Sequence, residues 1–336
     1  MPSGRGDEGV NKYKRKMGII AQKRKIVKIL LVRNDNIGDL ICTTPAIEAL
    51  RKAHPHAQID IVVNSLNACV VRGNPFLNKI YIYTKPKHVK GAAAKVRAFW
   101  GKCKILLQIR REKYDATVIF RSAYSPSAAI FARAAGAKTT IGAAKQNEGG
   151  SLITHKLNFN PPPHEVLLCY ELVASLGAKF DGEKMLYVPS FKSKKFKDFV
   201  FFHVSSRVEQ NRMDEAKILR ILAFLKQNFG RVAVSAEDVK FGEKVAQGAG
   251  VEFATTKNLD ELAGYIWAAK FVLTLDGGVA HLAPALGIKT VLALGKTDAA
   301  RWAPIYGGAP CTVLQSTSKR AQDVVDEEIY EAVKNI

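Results

Sequence analysis

A chain of 336 residues, 47% of them hydrophobic, is long enough for two cores, so two domains of about 100–200 residues each are the natural division. Lys and Arg number 51 against 30 Asp and Glu, and the resulting net charge of +21 favours anionic partners: nucleic acid, phosphorylated substrates or an anionic membrane surface. Five scattered cysteines (Cys42, Cys69, Cys103, Cys169 and Cys311) suit neither a disulfide framework nor a CxxC zinc site, no run of about 18 apolar residues predicts a membrane span, and Met17–Ala21 is too short for a signal peptide, so a cytoplasmic protein is expected.

Residues 1–25 carry Arg5, Lys12, Lys14, Arg15, Lys16, Lys23, Arg24 and Lys25 with few apolar residues, the pattern of a basic arm that is either solvated or loosely docked. Strands and helices then alternate. The apolar run Ile29–Val32 predicts a strand. It ends in the polar loop Arg33-Asn34-Asp35-Asn36-Ile37-Gly38-Asp39, and a helix is predicted over Pro45–Ala53 with Thr44 as its N-cap. Ile59–Val63 and Ala116–Phe120 are further predicted strands, and Pro126–Ala135 a helix. Between them, residues 85–113 hold ten Lys and Arg, with Val96, Phe99, Trp100, Cys103, Leu106 and Leu107 at helical spacing. Such a segment lies on an anionic membrane surface, or packs its apolar stripe on the core and solvates its charges.

Three prolines interrupt residues 158–164, and an apolar helix follows over Glu165–Leu176. The domain boundary is expected near 188–198, giving an arm over 1–25, an N-terminal domain over 26–190, a C-terminal domain over 198–322 and a closing helix within 323–336. The second half restarts the pattern with strand Phe199–Val204, helix Asp214–Phe229 and strand Val232–Ser235. Phe271–Leu275 and Thr290–Leu294 are later strands that flank a helix over Val279–Leu286. Alternation of this kind predicts an α/β protein whose parallel sheets are covered by helices, with ligands at the carboxyl ends of the strands.

Two of those ends carry chemistry. Asp39 follows a Gly beside a helix N-terminus, where a carboxylate either takes a proton from a hydroxyl nucleophile or simply caps backbone N–H groups. Asp276-Gly277-Gly278 ends the strand Phe271–Leu275. Its backbone N–H groups suit a diphosphate and Asp276 suits sugar hydroxyls, while a tight turn without a ligand is the alternative. His281, one turn on, is a phosphate ligand or a buried structural imidazole. Arg207 and Arg212 follow the strand Phe199–Val204 and match phosphate oxygens in geometry. GxGxxG, GxxxxGK[ST] and GxSxG are absent, and no His, Cys or Asp spacing calls for a metal.

Taken together, Arg33-x-Asp35-x-Ile37-Gly38-Asp39-x-x-x-Thr43-x-Pro45-x-x-x-x-Leu50-Arg51-x-x-x-Pro55 and Asp276-Gly-Gly-x-Ala-His281-Leu282 resemble glycosyltransferase family 9, the ADP-heptose:lipopolysaccharide heptosyltransferases. The second motif continues through Ala285-Leu286-Gly287, Gly295-x-Thr297-Asp298 and Trp302-x-Pro304, so the likeness spans residues 27–310. The resemblance implies a GT-B fold, two Rossmann-like domains facing a cleft, and an inverting reaction without metal or cofactor. By it, Asp39 is the catalytic base. Ser205, Arg207, Arg212, Asp276, Gly277, Gly278 and His281 hold the sugar nucleotide, and Arg33, Asn36, Gly38, Thr43 and Arg121 face the acceptor. That acceptor is an anionic glycolipid at the cytoplasmic face of the bacterial inner membrane, and the basic segments suit its anionic surface.

The chain departs from the family at Asn211-Arg212-Met213-Asp214, where a Lys/Arg-x-Trp-Pro element is common. The Trp-Pro is gone, the phosphate role would pass to Arg212 or Arg207, and a sugar nucleotide other than ADP-heptose stays open. Two further readings are another GT-B transferase or epimerase and, from charge alone, a basic nucleic-acid-binding protein. No RRM, KH, helix-turn-helix or zinc-finger signature accompanies that charge, so no specific nucleic-acid partner is expected.

Overall fold

A computed structural model describes residues 26–180 and 193–336. The basic arm and residues 181–192, which include the start of the expected domain boundary, lie outside the described residues.

The first half builds one six-stranded sheet from β1 (Lys28–Val32), β2 (Gln58–Asn64), β3 (Lys79–Tyr83), β4 (Ala116–Ile119), β5 (Thr139–Ala143) and β6 (His155–Leu157). The second half builds another from β7 (Val200–His203), β8 (Val232–Ser235), β9 (Glu252–Phe253), β10 (Phe271–Leu275), β11 (Thr290–Leu294) and β12 (Cys311–Gln315). Their orders are β3-β2-β1-β4-β5-β6 and β12-β11-β10-β7-β8-β9, and every pairing is parallel. Read from the other edge, the second order repeats the first. Each half is thus a doubly wound sheet whose strand order reverses at one point, between β1 and β4 in one and β7 and β10 in the other.

The central strands are apolar without alternation because helices cover both faces. In β1, residues Ile29, Leu30, Leu31 and Val32 are all buried. The helices are α1 (Ile37–Ala53), α2 (Ala92–Glu112), α3 (Pro126–Ala135), α4 (Glu165–Ala174), α5 (Glu215–Phe229), α6 (Val239–Ala249), α7 (Leu259–Ala268), α8 (Gly278–Ala285), α9 (Ala299–Trp302) and α10 (Asp326–Lys334). Side-chain caps set several starts: Asp214 accepts from the backbone N–H of Lys217 at 2.7 Å, and Asn258 from that of Glu261 at 2.9 Å.

One boundary differs from expectation with consequences for the site. The helix predicted to start at Pro45 starts at Ile37, so Gly38 and Asp39 belong to its first turn and Thr44-Pro45 lies inside it. A proline there removes the N–H that would bond the carbonyl of Ile41, four residues back. The Thr44 hydroxyl supplies the missing donor, bonding that carbonyl at 2.8 Å. The Thr-Pro pair that reads as a start signal is therefore a repaired interior proline. The sequence pattern cannot separate the two, because both need a hydroxyl beside Pro.

A large apolar core includes Ile29, Ile41 and Val63 of the first half and Phe201, Val272 and Leu282 of the second, and so runs across both. A second core lies under α5, α6 and α10.

Candidate active site

The carboxyl ends of both sheets open on one cavity of about 480 Å3. From the first half, Asp35 to Asp39 line it; from the second, the ends of β7, β8, β9 and β10 do. The residues after β1 and β10 flank the two strand-order reversals, where doubly wound sheets bind ligands.

Asp39 stands on the first turn of α1 at the cavity wall. Beneath it Arg33 is fully buried, and its guanidinium meets three carboxylates: Nη2 lies 2.9 Å from Asp39 and 2.7 Å from Glu165, and Nε 2.9 Å from Asp35. The Asp35 contact is an ion pair not aligned as a hydrogen bond. Nη1 also donates to the carbonyl of Phe120 at 2.6 Å. Arg121 pairs with Asp35 at 2.9 Å, and Arg301 with the far oxygen of Glu165 at 3.0 Å. Three acids thus face three bases, and the buried cluster closes without net charge.

Within it the two cavity-facing acids diverge. Burial pushes the Asp39 carboxyl up, but Arg33, the Asn36 amide and the nearby His281 and Arg121 outweigh this and hold it below its ordinary value. Burial pushes Asp35 up to about 6, against the pull of Arg33 and with the charge of Asp39 adding to the rise. Asp39 is therefore an ionised carboxylate at neutral pH, facing the cavity and held from behind. Such a group can accept a proton from a bound hydroxyl.

Opposite Asp39, α8 presents its N-terminus. Gly277 takes φ 157° and ψ −165°, a conformation rare for L side chains, and turns the chain from β10 into the helix. The helices α1 and α8 meet end to end at small residues. A Cβ on Gly38 would come within 2.6 Å of His281 Cδ2, and one on Gly278 within 3.2 Å of Ile37 Cγ2. Burial keeps the His281 imidazole below its ordinary pKa despite nearby Asp276 and Asp39, so it is neutral at pH 7. Its ring lies edge-on to Trp302, and Nδ1 is 3.6 Å from Cys42 Sγ.

Asp276 is fixed from its own side. The Asn211 amide donates to it and to Thr297 Oγ1, both at 2.8 Å, and the Thr297 hydroxyl donates to Asp276 at 2.9 Å. Asn211 Oδ1 accepts the N–H of Gly295 at 3.1 Å. Gly295 is required at this contact because a Cβ there would lie 1.9 Å from the carbonyl of Gln210.

Residues 103–333 match the sequence profile of glycosyltransferase family 9 (heptosyltransferase). The chain belongs to this family. It is similar to lipopolysaccharide heptosyltransferase 3 of Escherichia coli at 22% identity over 300 residues, covering 80% of this chain and 83% of that relative. The solved structure of the family 9 glycosyl transferase from Veillonella parvula is similar with a TM-score of 0.77 and 17% identity, over 93% of this chain and 98% of that one. E. coli heptosyltransferase WaaC with ADP-2-deoxy-2-fluoro heptose is similar with a TM-score of 0.71 and 17% identity, over 92% and 99% of the two chains. The two facing sheets are accordingly a GT-B fold, and the protein is a glycosyltransferase.

The cavity of the transferase gathers Asn36, Gly38, Asp39, Ser205, Arg207, Asp276, Gly277, Gly278 and His281 of the residues expected from sequence. Four stand elsewhere. Arg33 and Thr43 are fully buried: Arg33 holds the acids, and the Thr43 hydroxyl donates to the carbonyl of Asp39 at 2.8 Å. Neither is free to touch an acceptor, and both bond to Asp39. Arg212 turns away and donates to the carbonyls of Ser206 at 2.7 Å and Arg207 at 3.4 Å, bracing the loop that carries Arg207. Arg121 is committed to Asp35. Asn211, which the family resemblance sets in place of a phosphate-binding lysine, is buried and holds Asp276.

Sequence reasoning missed Glu165, the clamp made by Asn211 and Thr297, and the wall formed by His203, Ser235, Phe253, Thr255 and Thr256. The rule that sites lie at strand carboxyl ends, applied also to β8 and β9, would have found that wall. Glu165 carries no local signal: it is one of two acids in an apolar helix.

Proposed function

We propose that this transferase moves a heptose from ADP-heptose to an anionic glycolipid, the lipopolysaccharide inner core, at the cytoplasmic face of the inner membrane. The observation that carries this is Asp39, an ionised carboxylate braced by Arg33, facing the N-terminus of α8 across one cavity. Asp39 takes the proton of the acceptor hydroxyl as its oxygen attacks the anomeric carbon from the face opposite the diphosphate. The bond from that carbon to the phosphate oxygen breaks, ADP leaves, and the configuration inverts. The leaving diphosphate gathers negative charge, which the backbone N–H groups at Gly277 to Val279 and the Arg207 guanidinium stabilise. Asp276, oriented by Asn211 and Thr297, takes hydroxyls of the donor. The heptosyltransferase names of its relatives and a related structure holding an ADP-heptose analogue support this choice of donor.

The test is ADP release from ADP-heptose with truncated-core glycolipid acceptors. Wild type should turn over only with acceptor, and Asp39→Asn should lose about 10²- to 10⁴-fold in kcat, the usual contribution of a general base. Equal release by both proteins would remove Asp39 from the mechanism.

A second donor is favoured by one observation. The position aligned with a phosphate-binding lysine holds the buried Asn211, which leaves Arg207 as the phosphate cation of that loop. Thermal shift across ADP- and UDP-sugars separates the two readings, since the true donor stabilises the fold.

A further inference from the structure

The helix α2 has two apolar faces, and the fold uses one. Ala98 and Ile109 are buried, and Ile105 and Leu106 pack on the core beneath the sheet. The core therefore accounts for these residues but not for Val96, Phe99, Trp100 and Leu107, which are 56%, 56%, 66% and 59% exposed. At 3.6 residues per turn, Val96, Trp100, Cys103 and Leu107 fall within an arc of about 60°, roughly opposite the buried face, with Phe99 beside them. The Phe99 and Trp100 rings touch edge to face at 5.9 Å. Large exposed apolar side chains clustered in this way mark an interaction surface.

Charge says which kind. Arg97, Lys104 and Arg111, seven residues apart, form a row along one flank, and Lys95 and Arg110 lie on the other. The single acid in the helix, Glu112, is already engaged by Lys28 at 3.0 Å and Lys79 at 3.2 Å. A second copy docked here would bring like-charged rows together, whereas an anionic bilayer surface complements both the apolar centre and the basic flanks. No helix among the described residues is long and apolar enough to cross a membrane, so such contact is at the surface.

Position ties this face to the cleft. The turn 84–91 that enters α2 leaves β3 at the carboxyl edge of the sheet, and its Lys85 ammonium donates to the carbonyl of Asn34, next to Asp35. Val96, Phe99 and Trp100 sit in the first turns beyond it, at the end of the helix nearer the cavity.

We propose that the outward face of α2 docks the enzyme on an anionic bilayer, with Phe99 and Trp100 inserted at the headgroup level and the flanking arginines and lysines on the lipid phosphates. This rests on the reading that the acceptor is a membrane glycolipid, and it presents the cleft mouth to that acceptor.

The test uses the full chain with vesicles of phosphatidylglycerol and phosphatidylethanolamine, and with phosphatidylcholine vesicles as the neutral control. Wild type should sediment with the anionic vesicles, and its tryptophan emission should shift to the blue, a shift that Trp100→Phe removes. Phe99→Ser with Trp100→Ser, and separately Arg97→Glu with Lys104→Glu, should each lower partitioning at least tenfold. Both pairs should keep wild-type turnover of a deacylated, water-soluble acceptor. Failure of turnover in every protein would sink the heptosyl-transfer reading while leaving the sedimentation and fluorescence results to judge the docking face. Wild-type sedimentation that both double variants retain, or a solution dimer that the aromatic variant makes monomeric, would overturn the proposal.

Discussion

Arg33 explains how an acid can serve as a base in a closed cleft. Alone, a buried carboxylate would take up a proton; beside a buried guanidinium it stays ionised and fixed in direction. The cost falls on the buried guanidinium, whose charge is balanced by those acids. Arg33→Met would leave Asp35, Asp39 and Glu165 with two cations instead of three. Breaking such a buried set should cost about 3–5 kcal/mol, read as a lower urea midpoint with an unchanged slope. His203 offers a test of burial in the second half. It is enclosed at the end of β7 with Nδ1 2.8 Å from Ser235 Oγ, and burial lowers its pKa from 6.5 to about 4. The unfolded chain binds a proton on this ring below about pH 6.5 and the folded chain does not. Its contribution to stability is therefore complete above that pH and is lost as pH falls towards 4, by roughly 3 kcal/mol in all. In urea unfolding at pH 7 and pH 4.5, His203→Gln should show a smaller drop than wild type. An equal drop would show the ring is protonated in the fold.

Helix α1 shows how one element joins fold and chemistry. Its first turn carries Asp39, its middle holds Pro45, and Ile47 and Leu50 beyond the proline pack into the large apolar core. The Thr44 hydroxyl keeps it continuous past the proline, and continuity is what aims the first turn at α8. Thr44→Val removes the donor and leaves the buried Ile41 carbonyl unpaired, which should destabilise by about 1–3 kcal/mol. Thr44→Ser should restore most of that in thermal unfolding, because it returns the hydroxyl. If Val and Ser behave alike, the hydrogen bond is not what tolerates Pro45. Gly38 lines the cavity, and a side chain there is excluded by packing, because a methyl group meets the His281 ring.

The two sheets share a continuous apolar core, and the Glu165–Arg301 ion pair and the His164 bond to the Ala303 carbonyl at 2.7 Å bridge them at the cleft floor. Joined in this way, the halves should unfold in one transition, with far-UV and tryptophan signals coincident; two resolved transitions would contradict the shared core. On the proposed reading that the donor is an ADP-sugar, ADP at 100 times its Kd should add about 2.7 kcal/mol to the unfolding free energy, and no stabilisation by ADP would count against that donor. Alternation of apolar runs with helical patterns made both doubly wound halves legible, because covered parallel strands must be apolar throughout. β10 and β11 appear at their expected bounds, and the loops after β1 and β10 stood out through Gly and Asp at strand ends. The start of α1 was not legible, since a Thr-Pro pair fits a cap and a repaired proline equally. Nor were the tasks of Arg33, Thr43, Asn211 and Arg212. Local order of residues determines which elements form and which loops are polar. Whether a polar side chain in such a loop faces a ligand or an internal partner depends on residues far along the chain, as Glu165 is to Arg33 and Asp276 to Asn211. Only packing brings those partners together, and the charges and amides packed around each of two equally buried carboxylates then set which way its pKa moves.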